Sequence, residues 1–113
     1  MEFYDLNVKR GETFRQVLLF LHADGSARDL SGCEGFCQVR PEPESDVLIA
    51  SMGVTIEGED GRVTLSLSSE ITSELETGVY AYDLALLETD GRLRYYVGGK
   101  FSVLPSVTKV NGE

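Results

Sequence analysis

An all-β fold of about seven to eight short strands is what the 113-residue sequence predicts, and three observations predict it. Turn dipeptides recur at short intervals, from Arg10-Gly11 and Asp24-Gly25 through Asp60-Gly61 to Thr77-Gly78 and Asp90-Gly91. Apolar runs of strand length lie between them, which is the spacing of a sandwich or barrel rather than of alternating helices and strands. A single segment, Ser68 to Leu75, has a helical pattern. Strands are expected near residues 3–8, 13–22, 33–40, 47–50, 53–57, 62–67, 79–88 and 92–104, all in one domain spanning 1–113.

Each element has its own reason. Over Thr13–His22 both faces are apolar, Phe14, Leu18 and Phe20 on one and Val17, Leu19 and Leu21 on the other. Over 33–40 the inward set is Cys33, Gly35, Cys37 and Val39, leaving Phe36 outward with Glu34, Gln38 and Arg40. The two cysteines, four residues apart on a strand rising about 3.3 Å per residue, have Cα atoms about 13 Å apart, too far for a disulfide. They are read as reduced core residues. Strict alternation over Arg62–Leu67 turns Val63, Leu65 and Leu67 inward. The helical piece near 69–75 has Ser68 or Ser69 as its cap, Glu70 in its first turn, and Ile71 and Leu75 on one side.

Leu75-x-x-Gly78-x-Tyr80, after that crossover and at the start of a long strand, is the arrangement of a tyrosine corner. Tyr80 is therefore assigned a structural role, its hydroxyl returning to the backbone upstream. This makes the expected sandwich an immunoglobulin-like Greek key. Asp90-Gly91 is expected to form a tight primed turn between the last two strands, with Tyr80, Tyr82, Leu84 and Leu86 on one face of the first. In the second, Leu93, Tyr95 and Val97 alternate with Arg92, Arg94 and Tyr96. Gly98-Gly99 marks a bulge or close backbone approach, where the phase is expected to change so that Phe101 and Val103 rejoin the core.

Apolar residues outnumber the positions one core offers. A two-layer sandwich strand turns one face to water, so Val17, Leu19 and Leu21, with the outward Phe36, are assigned to an interface. The partner is a second copy or another protein. The alternative is that the loop over residues 41–53 covers this face within one molecule.

Charge narrows the partners. Nineteen acidic and ten basic residues give a formal net charge of -9, which lacks the positive field that nucleic acid requires. From Glu42 to Glu76 there are nine acids and one base, -9 + 1 = -8, so the acidity is concentrated. Glu57-Gly58-Glu59-Asp60-Gly61 groups three carboxylates but lacks the spacing of a calcium loop, and reads as a solvated turn. No apolar run is long enough to span a bilayer as a helix, and Met1–Asp5 lack the pattern of a secretory signal. The expectation is a soluble, cytoplasmic product that engages no membrane. With His22 the sole histidine and no base–nucleophile set around it, no catalytic residue, metal ligand or cofactor is assigned.

The order of signals resembles a known group. Asn7-x-x-x-Gly11-x-Thr13-Phe14-Arg15, Ala23-Asp24-Gly25, Asp29-Leu30-Ser31-Gly32, Gln38-Val39-Arg40, Tyr80-x-Tyr82-Asp83-Leu84, Gly99-Lys100-Phe101-x-Val103 and Pro105-Ser106-Val107-Thr108 are similar to small β-sandwich proteins of bacteriophage and prophage tail regions, such as the N-terminal domains of baseplate upper proteins and tail-fibre domains. The resemblance implies a non-enzymatic structural or assembly module of a tail, a homo-oligomer or an adaptor on another phage tail protein, located in the virion. The alternative is an immunoglobulin-like adhesion or carbohydrate-binding module.

Overall fold

The computed structural model describes residues 1–110. Eight strands form, β1 Glu2–Phe3, β2 Leu6–Lys9, β3 Phe14–Leu19, β4 Glu34–Arg40, β5 Ala50–Glu57, β6 Arg62–Leu67, β7 Gly78–Leu87 and β8 Leu93–Leu104, with one helix, α1 Ser69–Glu74. The hydrogen-bonded order is β1-β8-β7-β4-β5-β6-β3, with β2 also on β8. This path folds over at β5, which pairs with β4 through Ala50–Met52 and with β6 through Gly53–Glu57. The result is an immunoglobulin-like Greek-key sandwich with a larger layer of β1/β2, β8, β7, β4 and the start of β5, and a smaller layer of the rest of β5, β6 and β3. The expected breaks at 47–50 and 53–57 merge into this one strand, because a strand that changes layers stays extended through the switch. The first expected strand splits instead into β1 and β2 at Tyr4-Asp5.

Alternation builds the core. Val63, Leu65 and Leu67 on β6, Val39 on β4, Leu84 and Leu86 on β7 and Phe101 and Val103 on β8 are buried, as are Leu6 and Val8 of β2. Phe14 meets Phe101 edge-on with ring centroids 5.4 Å apart, and Phe20 meets Tyr96 at 5.3 Å, so β3 is fastened by its inner face to the opposite layer. Ser68 caps α1 by accepting the Ile71 amide at 3.2 Å. The side chain that α1 buries is Thr72 rather than Ile71, since the Thr72 hydroxyl donates to the Glu12 carbonyl at 2.8 Å while Ile71 stays exposed. Tyr80 donates to the Glu76 carbonyl at 2.6 Å, tying the start of β7 to the turn before it.

Two sequence expectations about the β7–β8 hairpin are corrected. Of the loop residues Thr89, Asp90 and Gly91, only Gly91 has a positive φ (87°), so the connection is a three-residue loop and not a two-residue primed turn. The change of phase in β8 falls between Tyr95 and Val97, opposite Leu84 and Ala85, and not at the glycines. The extra residue there, Tyr96, takes the inward position beside Phe20, and Leu93 and Tyr95 turn outward, 52% and 54% exposed. Gly98 and Gly99 serve a close approach instead. A Cβ on Gly99 would stand 2.7 Å from an Asp5 carboxylate oxygen and 3.0 Å from the Tyr4 carbonyl, where the turn between β1 and β2 crosses β8.

Candidate functional site

The smaller layer ends at β3, and this edge is open. Phe20 donates its amide to Gly61 at 2.8 Å, on the β6 side of the strand. Backbone groups alternate along a strand, so Phe14, Gln16 and Leu18 also point to β6, and the amides and carbonyls of Arg15, Val17 and Leu19 face away from it. Among the described residues no other strand pairs there. In a constant-type immunoglobulin sandwich the first strand lies beside the second in the same layer. Here β1 and β2 both pair with β8 in parallel, which leaves that position empty. A cleft of about 610 Å³ separates β3 from Met1–Tyr4, backed by Arg28, Tyr96 and Val97. The Val17 carbonyl accepts only from the side chain of its neighbour Gln16, at 3.1 Å.

Val17, Leu19 and Leu21 stand along the outer side of this edge, 40%, 59% and 50% exposed. Their cross-strand neighbours on β6 are Thr64 and Arg62. Arg15 is the single charge between Thr13 and Leu21. Loop 41–53 does not reach them; its first part is fastened to the other layer, where Arg40 donates to the Ser45 carbonyl at 3.0 Å.

Phe36 is also half exposed but belongs to the outer face of the larger layer, on β4. It stands in one cross-strand row with Ala85 and Tyr95. The structure therefore brings Val17, Leu19 and Leu21 together and places Phe36 on the opposite side of the sandwich. Tyr95 and Leu93 extend the Phe36 row. Alternation alone hid them, because the bulge at Tyr96 reverses their sense, and no glycine or proline marks it.

The titratable groups are dispersed. His22 is exposed on a turn in which its amide donates to the Ser26 carbonyl. Cys33 and Cys37 are free; burial pushes the Cys37 thiol up to about 12 and raises Cys33 as well. Asp24 and Asp29 lie below the ordinary carboxylate range because Ser26 and Ser31 hydrogen-bond to them. Burial pushes Asp83 upward, with Arg40 offsetting part of the shift. Among the described residues no group of three or more His, Cys, Asp or Glu side chains is placed to hold a metal ion. Among the same residues no helix is long and apolar enough to cross a membrane.

No family model matches the chain, and no curated protein matches it. Among solved structures it is similar to the crystal structure of CopC from Methylosinus trichosporium OB3b, with 16% identity and a TM-score of 0.49, over 94% of this chain and 89% of that one. The expected role as a phage or prophage tail module is corrected: no family model or curated protein supports it, and CopC, the solved structure named above, is not a tail protein. The residues that carried the phage resemblance are turn and core positions. Asp24 accepts from the Ser26 amide and hydroxyl, Asp29 from the Ser31 amide, and Tyr82, Leu84, Phe101 and Val103 are buried. Such residues specify a sandwich and carry no information about what it joins.

Proposed function

We propose that this protein is a non-catalytic structural module that self-associates through β3, two copies pairing their edge strands antiparallel about a two-fold axis near Val17. One observation carries the reading: β3 has an unpaired backbone edge and a row of three exposed apolar side chains on the same six-residue strand and its continuation. An edge of this kind is a template for another strand. A two-fold contact must be self-complementary, and an antiparallel pair centred on Val17 is, since Arg15 then stands opposite Leu19 of the other copy. The partner's amide would take the place of the Gln16 side chain at the Val17 carbonyl. The charge distribution favours a second copy as well, because the excess acid lies outside β3 and the strand brings a single Arg15 to the contact. The dispersed titratable groups support a structural role.

Sedimentation and light scattering test the proposal. The wild-type chain is expected to show a concentration-dependent dimer. Val17→Asp sets two carboxylates opposite each other at the axis and should weaken association by at least about tenfold. Val17→Pro removes an amide that faces away from β6, so it should block association while the β-rich circular dichroism persists. A wild-type chain that stays monomeric at every concentration, or a dimer untouched by both substitutions, overturns the assignment.

A further inference from the structure

The outer face of the larger layer carries a groove of about 1050 Å³ in which β3 has no part. Met1 and the β1 residue Phe3 form one wall and the loop over residues 41–46 the other. Arg40 fixes that second wall, donating to the Ser45 carbonyl at 3.0 Å and to the Gln38 side-chain oxygen at 2.8 Å, so its guanidinium is engaged within the protein. The floor is set by two cross-strand rows, Gln38–Asp83–Gly98 and Arg40–Ala81–Lys100. Gly98 has no side chain, and the Met1 thioether packs over it, 3.1 Å from where a Cβ would stand, so Met1 closes the groove at that end of the Asp83 row.

Asp83 is the notable group in this floor. It is half-buried on the central strand, and the side-chain hydrogen bonds and ion pairs among the described residues leave it out. The carboxylate is partly stripped of water without a hydrogen-bond partner, and burial raises its pKa, an effect that the nearby Arg40 charge offsets only in part. The other lining residues add to one pattern. Glu42, Glu44 and Asp46 place three more carboxylates on the loop wall, Phe3 and Tyr95, 81% and 54% exposed, present aromatic surface elsewhere in the lining, and Arg40 and Lys100 are its two cations, so acid outweighs base there.

From these features we infer that the groove binds an extended peptide segment from a partner protein, with an arginine or lysine of that segment placing its apolar stem along Phe3 and Tyr95 and its cation at Asp83. A long basic side chain has an apolar stem and a charged head. Its cation gains from a carboxylate and from an aromatic face alike. The groove is larger than one side chain needs and reaches the upper end of the roughly 300–1,000 Å³ typical of ligand sites, which suits several residues of an extended chain. Two copies of this acidic protein would not supply the basic segment readily, so the occupant is a different chain from the one that pairs with β3.

Fluorescence anisotropy with a labelled octapeptide of alternating arginine and valine tests this, with the citrulline counterpart as the neutral isostere. The arginine peptide should bind at least about tenfold more tightly than the citrulline peptide. Asp83→Asn should remove that difference, while Glu59→Gln, the same change of charge on the turn between β5 and β6, should preserve it. Amide shifts on titration should centre on Gln38, Ala81 and Tyr95. If Asp83→Asn fails to fold by circular dichroism, Asp83→Ser serves in its place, with the same loss expected. Equal affinity for the two peptides, equal loss in Asp83→Asn and Glu59→Gln, shifts confined to β3, or no binding of the arginine peptide would each overturn the inference. Argininamide competing as strongly as the octapeptide would overturn a peptide as the occupant.

Discussion

The hydrogen-bonded path has two ends, and they are finished differently. At one end the edge is cut into β1, two residues long, and β2, four residues long, with acidic or basic side chains at Glu2, Asp5 and Lys9. Their junction is latched onto the sheet: Tyr82 donates to the Tyr4 carbonyl, and Asp5 accepts the Lys100 amide at 2.9 Å. At the other end β3 runs six residues with no proline or bulge, and its outward side chains are mostly apolar. Short, interrupted and charged edges resist pairing with other chains, whereas long, flat, apolar ones invite it. Within one small sandwich the protein blocks one edge and leaves the other available.

The largest expected difference follows from placing the same charge on each edge. Val17→Asp should dissociate the dimer, whereas Phe3→Asp should leave the native mass unchanged in the same sedimentation run. Equal effects would erase the contrast between the edges. Next in size is Tyr82→Phe, which removes the latch from the blocked edge and leaves the Tyr4 carbonyl without its donor. A loss of about 1 to 3 kcal/mol is expected in denaturant unfolding, with faster hydrogen exchange in β1 and β2. Tyr80→Phe acts away from both edges, on the turn before β7, and should cost about 1 kcal/mol with no change in association. A neutral result would remove Tyr80 from its assigned structural role.

The smallest effect concerns pH. Burial raises the Asp83 pKa in the folded chain, and of the two flanking positions in its row, Gln38 and Gly98, neither is charged; Arg40 gives only a partial offset. A carboxyl with a raised folded pKa binds its proton more tightly folded than unfolded. It therefore opposes folding when ionised, and that penalty fades as pH falls through the raised value. Asp83→Asn should accordingly raise the melting temperature at neutral pH, by an amount that shrinks on acidification. A gain that stays constant with pH would show that the carboxylate is not the cause.

Local signals carried most of the fold. The alternation Arg62–Leu67 coincides with β6 in both bounds, and the capped turn at Ser68 lies where α1 begins. The outward residues of β3 were visible for the same reason: a period of two assigns faces without reference to any partner. Phe36 shows where that reasoning stops. Its outward direction could be read from β4 alone, but whether its neighbours are Val17 and Leu19 or Ala85 and Tyr95 depends on which strands share its layer. The groove was hidden for a related reason. Asp83 and Phe3 lie 80 positions apart in the chain and meet only through β8, while Tyr95 reaches the outer face because of a bulge that a run of alternating residues does not reveal.

By itself, then, the sequence determined the all-β class, the strand faces, the short capped helix and the excess of apolar side chains, because each depends on residues within one or two turns or pleats of one another. Tertiary structure alone decided that both N-terminal strands join β8 and so leave β3 unpaired, that Phe36 and the β3 row occupy opposite faces, and that Asp83 lines a groove. Those outcomes depend on strand order and register, which arise from contacts between distant segments and leave no local periodicity to read.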